Sequence, residues 1–318
     1  MSPEPRVPPP APAPPAAESA PQGSAGRQGG DVIHDIGYRN YDGPRLGRGY
    51  ARRSLYVQSL RGCYGLGRSA KSKVLPMILL AVVCLPAAMM VAITVQGHLR
   101  QQPLGYNNYV IQLQPVIGVF VAAAAPQAVS LDLRFRVVPL YFSRPIEHSD
   151  YVSAKFAALF TALFVFTSLP LAILYLGALL AKLEFADQTG DFALGLACSA
   201  LFSLLHAGIA LALAALTPRR GFGVAAIIAA LTVPYVLISA LQGIAASQGV
   251  GSAPGWIGLG SAGTLIDGIQ AAFLGGHSNF PGGQDPTTGQ ASVYVLVVAV
   301  LVAGAYALLL RRYRKAGL

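Results

Sequence analysis

The sequence predicts an all-α, polytopic membrane protein with six transmembrane helices. Three observations carry that expectation. Only 11% of the 318 residues are charged and 54% are hydrophobic, where a soluble domain carries about 25% charged residues. Six segments hold roughly the 20 apolar residues that a helix needs to cross a hydrocarbon core of about 30 Å. Basic residues gather on alternate connections, with 21 of the 23 Lys and Arg on one side.

Residues 1–32 begin with nine prolines in the first 30 positions, set among Ala, Ser and Gly. Such a stretch cannot bury enough apolar surface to offset its ordering entropy, so a disordered tail is expected. It has no apolar h-region, so it does not read as a signal peptide. Residues 33–73 lead into the first span. Within them Leu55, Val57, Leu60, Tyr64 and Leu66 alternate with Arg52, Arg53, Arg61 and Arg68, a pattern that predicts a basic amphipathic helix at the membrane surface.

The six-span unit covers 74–318, with spans predicted at about 74–95, 109–129, 156–181, 192–216, 221–246 and 291–310. The second is the weakest, since it carries Gln112, Gln114 and Gln127. These runs are twice the length of a barrel strand and do not alternate in polarity, so helices are the expected way to satisfy the backbone in lipid. Eleven basic residues precede span 1, four lie between spans 2 and 3, two between spans 4 and 5, and four in the tail. Arg100 and Lys182 alone fall on the other side, and none lies between Gly221 and Leu310. The positive-inside rule then puts both termini in the cytoplasm. The net charge of +10 is accounted for by this sidedness, and no nucleic-acid partner is expected.

The connection from Ser130 to Val152 is too long for a simple turn and too apolar for a flexible one. Leu131, Phe135, Val138 and Phe142 recur near helical spacing, and Pro139 starts or kinks the helix there. Apolar residues among charges in water predict a docking surface. Ser149 or Asp150 is expected to cap the third span. Between spans 5 and 6, Leu265, Ile266, Ile269 and Phe273 predict a short amphipathic, partly re-entrant helix, and Trp256 suits the outer interface.

Candidate chemistry is sparse. The segment Gly65-Leu-Gly-Arg-Ser-Ala-Lys71-Ser72 departs from a phosphate loop at Ala70, where that loop requires Gly, and a span follows at once. No directly bound cofactor is expected. Three scattered cysteines, Cys63, Cys84 and Cys198, suit neither a disulfide framework nor a thiolate metal site. Ser261, within Gly258-Leu-Gly-Ser261-Ala-Gly263, has His277 and Asp267 near it in sequence, but in a Gly-rich outer loop with no scaffold visible to bring a base within reach, so the stretch reads as a flexible loop. His206 is the one ionisable side chain deep within a span and so a candidate by default. Gln112 and Gln114 flank Pro115, and Thr232, Tyr235, Ser239 and Gln242 surround Pro234. Polar groups in lipid need a partner or a wet path, so these six read either as interhelical hydrogen-bonding groups or as the lining of a pathway.

The stretch Leu140-Tyr-Phe-Ser143-Arg144-Pro145-Ile-Glu-His-Ser-Asp150-Tyr151-Val-Ser-Ala-Lys155 resembles the cytoplasmic segment of bacterial type-2 ABC permeases, the ABC-2 membrane family. Ile33-His34-Asp35-Ile36-Gly37-Tyr38-Arg39-Asn40-Tyr41-Asp42-Gly43-Pro44-Arg45-Leu46-Gly47-Arg48 is similar to the opening segment of an actinobacterial branch of that family. The resemblance covers 33–318. His148, where a basic residue is common, and Pro139, which interrupts the docking helix, depart from the pattern. The resemblance implies a non-catalytic permease subunit of an exporter in the bacterial cell membrane. A separate ATPase would hold ATP and Mg, and a second permease, alike or different, would complete the pathway. It implies a cytoplasmic coupling helix, with Phe135, Val138, Leu140, Phe142, Ser143 and Pro145 meeting the ATPase and Arg134, Arg136 and Arg144 at the rim. Spans 2 and 5 would then face an unknown exported substrate. Two other classes stay open on the residues alone: a membrane-embedded serine enzyme and a non-transporting integral scaffold.

Overall fold

The computed structural model describes residues 43, 46–67, 69–99, 101–135, 137–142, 146–217 and 220–316. By internal packing the chain divides into Met1–Pro44 and Arg45–Leu318, and every described helix belongs to the second unit. The expected tail at 1–32 and the lead-in residues 33–42 lie outside the described residues.

Among the described residues every regular element is helical. Helix α1 (Arg48–Cys63) leads to α2 (Ala70–Gln96), the short α3 (Tyr106–Gln112) and α4 (Gln114–Ala128). Two five-residue helices follow, α5 (Ser130–Arg134) and α6 (Val138–Phe142), then the long α7 (His148–Leu180) and α8 (Phe185–Leu216). Helix α9 (Arg220–Ser247) is followed by α10 (Ala253–Ile257), a 3₁₀ turn (Gly258–Gly260), α11 (Ala262–Phe273) and α12 (Thr288–Ala316). Six helical stretches, the second of them α4 and α5 together (Gln114–Arg134), are long and apolar enough to cross a membrane, the architecture of a multi-pass integral membrane protein.

The interior is built from α4, α7 and α8, whose spans are about half buried or more, while α2, α9 and α12 lie on the perimeter with few residues buried. At the centre Phe120 of α4 stacks on Phe166 of α7 with ring centroids 4.2 Å apart, and both are buried. Where α2 meets α7, a β-carbon on Gly177 would overlap the side chain of Val91. Small residues let helices approach closely where lipid supplies no hydrophobic drive for association.

The structure departs from the sequence reading at the second and third spans. The second span is broken: α3 ends at Gln112 and α4 begins at Gln114, with Leu113 outside the regular dihedrals. Pro115, at the second position of α4, has no N–H for the preceding turn and crowds its carbonyl. By contrast α4, α7 and α9 run through Pro126, Pro170 and Pro234. The third span starts eight residues early, at His148 rather than Phe156. Its N-cap is Glu147, whose N–H donates to Asp150 at 3.2 Å, so Asp150 serves from inside the first turn. At 33 residues α7 is about 50 Å long, more than a bilayer core requires.

Helix α1 packs along this early part of α7. Arg48 reaches Asp150 and Glu147, each at 2.5 Å. Tyr56 donates to Thr161 at 3.1 Å, and Tyr64 to the Ala162 carbonyl at 2.7 Å. Leu55, Ser59 and Cys63 are buried beneath it, while Tyr50, Val57 and Leu66 stay exposed. Burial pushes the Cys63 thiol up to about 12, so it is no reactive thiolate at neutral pH.

The glycine-rich connection between α9 and α12 is packed, not loose. Ser261 caps α11 by accepting from the Thr264 N–H at 3.2 Å, and residues 263–270 are all buried. Tyr294 of α12 lies across it, donating its hydroxyl to the Gly255 carbonyl, and Gln242 of α9 donates to the Pro254 carbonyl at 2.7 Å. A β-carbon on Gly268 would overlap the ring of Tyr294, which is wholly buried. Gly268→Ala is therefore expected to lower stability by about 1–3 kcal/mol through overpacking, read as a lowered midpoint in thermal denaturation of the detergent-purified chain.

Candidate functional site

The strongest candidate lies where the chain leaves α4 and returns into α7. Ser130 opens α5 and donates its hydroxyl to the Ala214 carbonyl at 2.7 Å, tying the segment to the end of α8. Asp132, two residues on, is the only acid of α5. Its carboxylate lies 2.9 Å from the Lys155 ammonium of α7 and accepts the Tyr151 hydroxyl at 2.5 Å. Both charged side chains are largely covered, at 15% and 10% exposure. The Tyr151 ring, itself buried, contacts Tyr313 of α12 with centroids 4.7 Å apart. Tyr141 of α6 also lies against it, at 5.4 Å. The Tyr313 hydroxyl reaches the Val129 carbonyl at 3.4 Å. One acid thus joins α5 to α7, and the tyrosines join both to α6 and α12.

On that anchored base the sequence-predicted docking residues divide. Phe135 is 65% exposed and Leu140 is 67% exposed, large apolar side chains on and beside the two short helices. The Arg134 guanidinium sits over the Phe135 ring at 5.7 Å. Phe142 is half-buried against His148, with ring centroids 4.0 Å apart. Val138 is different: at 1% exposure it belongs to the core. The segment is two helices rather than one, so the spacing that groups Val138 with Phe135 does not hold across residues 135–137. Arg136, Ser143, Arg144 and Pro145 lie outside the described residues. Beside the segment runs an apolar cleft of about 570 Å³ between α1 and α6, lined by Tyr50, Leu55, Val137, Leu140, Tyr141 and Ile146.

The polar residues of spans 2 and 5 also separate. Gln114 and Gln242 are buried and face the connection between α9 and α12. The Gln114 amide lies against Gly263 with neither of its polar atoms partnered, and Gln242 keeps its carbonyl oxygen without a partner. Gln112 is exposed, and Thr232, Tyr235 and Ser239 are half-buried. The six therefore do not form one lining within a single chain.

The serine arrangement takes a structural form. The Ser261 hydroxyl is engaged by the Thr264 N–H and hydroxyl, and among the described residues no histidine hydrogen-bonds it. His277 instead lies 3.4 Å from Asp285 in an exposed turn. Asp267 is buried in α11 and accepts from Gln270, the Asn279 side chain and the Asn279 N–H at 2.8–3.1 Å. Burial raises its carboxyl to about 6 against those bonds. His206 is wholly buried, with Nδ1 on the Phe202 carbonyl at 2.9 Å and its ring stacked on Phe202. A carbonyl can only accept, so Nδ1 holds the proton and Nε2 is a bare acceptor.

The Asp132–Lys155–Tyr151–Tyr313 group was not singled out by sequence pattern. Its members lie on three elements; Tyr151 and Lys155 stand four apart on α7 and share a face, but no sequence pattern joins them to Asp132, one of three acids in the connection, or to Tyr313. No protein-family model matches the chain, and no curated protein matches it in sequence.

Proposed function

We propose that the chain is the membrane-spanning permease subunit of an ATP-driven exporter, coupled through residues 130–146 to a separate ATPase. The observation that carries this reading is the pairing of Phe135 and Leu140, exposed at the two short helices, with a base held by a covered ion pair and packed tyrosines. Two large apolar side chains exposed among charges on an anchored base suit a contact surface. A helix-borne apolar pair fits a groove on a partner, and an anchored base passes the partner's displacement to α7 and α12 without slack.

In this reading both termini and residues 130–146 are cytoplasmic, which the charge asymmetry supports, and the membrane is the bacterial cell membrane. ATP and Mg sit on the partner. The exposed perimeter of α2 and α9 is available to a second permease and to lipid. Gln112, Thr232, Tyr235 and Ser239 are then the pathway candidates that reach a surface, while Gln114 and Gln242 steady the connection behind it. Alternating access arises as the partner's two shapes favour two packings of the bundle.

Affinity purification of the full chain in mild detergent tests the reading. The expected result is a co-purifying protein that hydrolyses ATP. Recovery of the chain without any ATPase, from cells that express the neighbouring reading frames, would favour the scaffold.

A further inference from the structure

Ser69, Lys71 and Ser72, from the segment that fails as a phosphate loop, line a cleft of about 380 Å³ between α2 and α4. On α2 the lining continues from Lys71 to Leu75 and Leu79, and on α4 from Gln127 to Ala123 and Phe120. Each set repeats at three or four residues, so each is a stripe along one helix face. The Tyr109 hydroxyl, at the far end of the second span, donates to the Val83 carbonyl at 2.6 Å. The two stripes therefore run in opposite directions, and their polar ends meet. The cleft is polar at that end and apolar along the rest, over about 12 Å of α2 from Lys71 to Leu79.

The polar end is built by a fixed turn. Gly65 has a φ of +68°, and a β-carbon there would overlap the Ser72 carbonyl. Ser72 donates its hydroxyl to the Ser69 carbonyl at 2.7 Å. The Ser69 side chain makes no capping bond to α2, and Lys71 is exposed. Among the described residues the ion pairs engage Arg48, Arg52, Lys155 and His277, and none reaches Lys71 or Lys73. The sequence holds no Asp or Glu between Gly43 and Leu131, and among the described residues no acid lines the cleft.

The two ends select different parts of one molecule. An ammonium and a hydroxyl without an acid beside them suit an anion, and charge-assisted bonds to phosphate oxygens are strong. The apolar stripes suit a hydrocarbon chain: Leu75 is 47% exposed on a perimeter helix, so this part of the cleft borders the lipid. A free phosphate would leave the stripes uncovered. A zwitterionic head would bring a second cation to a place that offers it no acid. Basic pockets between spans are known to suit the heads of anionic lipids. We propose that this cleft holds one anionic phospholipid, its phosphate at Lys71 and Ser69 and one acyl chain along Leu75, Leu79, Ala123 and Phe120. The proposal rests on the membrane-spanning architecture and is independent of the transport reading.

Photolabelling tests it, with the full chain in nanodiscs of phosphatidylcholine and a phosphatidylglycerol probe that carries a diazirine in the middle of one acyl chain. The expected result is labelling that saturates at one lipid per chain and maps by peptide mass spectrometry to residues 75–79 and 120–123. At equal mole fraction, unlabelled phosphatidylglycerol should displace the probe at least tenfold better than added phosphatidylcholine, and inorganic phosphate should not displace it. Lys71→Glu, at an exposed position, should weaken labelling at least tenfold while leaving the thermal midpoint of the chain in place. Ala123→Leu, which narrows the apolar part with Lys71 intact, should weaken it as well. Labelling spread around the perimeter without saturation, equal displacement by phosphatidylcholine, displacement by inorganic phosphate, or full labelling of the Lys71→Glu chain would each overturn the proposal.

Discussion

Replacing Phe135 and Leu140 together with Glu is expected to disconnect ATP hydrolysis from the permease while leaving the bundle intact. Both side chains are mostly exposed, so the change costs the isolated chain little; surface substitutions usually fall within about 0.5 kcal/mol. At an interface the same residues would be central anchors, and losing an anchor costs about 2 kcal/mol or more. Two such losses, with carboxylates forced against an apolar groove, amount to more than a hundredfold in affinity at about 1.4 kcal/mol per factor of ten. The measurement is ATP turnover of the partner reconstituted with wild-type or variant permease. Turnover falling to that of the partner alone agrees with docking at this surface. Unchanged stimulation would place the contact elsewhere. Val138→Glu serves as the contrast: it buries a charge in the core and should lower the yield of folded chain, not merely its coupling.

The second large effect concerns the covered pair. Asp132→Ala leaves the Lys155 ammonium without its counter-charge and the Tyr151 hydroxyl without its acceptor. Removing one member of a buried pair costs about 3–5 kcal/mol, and partial exposure puts this site at the lower end of that range. Asp132→Ala/Lys155→Met removes both charges, and its stability is expected to return most of the way to wild type. The thermal midpoints of the two variants in detergent measure this directly. An Asp132→Ala chain as stable as wild type would mean that the ion pair does not hold α5 against α7. Coupled turnover separates support from transmission. In the double variant the folded chain should still bind the partner yet respond to it weakly, because the link from α5 to α7 is gone.

Much of the fold is legible in the sequence because lipid imposes a simple rule. Apolar runs of sufficient length become spans, and all six appear as helices near their expected places. What escapes the rule is set by contacts between distant residues. The early start of α7 depends on Arg48, 99 residues from Glu147, and on the reciprocal bond of Glu147 and Asp150; hydropathy sees only charges that should end a span. The break at Leu113 is written in Pro115, but Pro126, Pro170 and Pro234 pass through their helices, and no local feature tells them apart.

The candidate site is legible in part for the same reason. Phe135 and Leu140 stand out as apolar residues in a charged connection, and they are exposed. Val138 carries the same chemical label and is buried, since the chain turns between α5 and α6 and resets the helical phase. The Gly258–Gly263 stretch reads as loose by composition and is tightly packed. Its glycines are places where Gln114, Tyr294 and other side chains press against backbone, and only the tertiary structure supplies those side chains. Ser261 is a cap for the same reason: the helix it starts is visible in the pattern from Leu265 onward, but the bond to Thr264 is not.

Cross-linking from Leu140 decides between docking at this surface and its absence. With Cys84 replaced by Ala to remove the half-buried background thiol, a Leu140→Cys permease in native membranes is treated with a short thiol-to-amine cross-linker that cannot cross the bilayer. Docking at α6 requires a single adduct with the ATPase, formed in inside-out vesicles and absent when the same reagent is applied outside intact cells. A thiol at this position that reacts from the outside of cells, or that joins no ATPase from the inside, would refute cytoplasmic coupling through this segment.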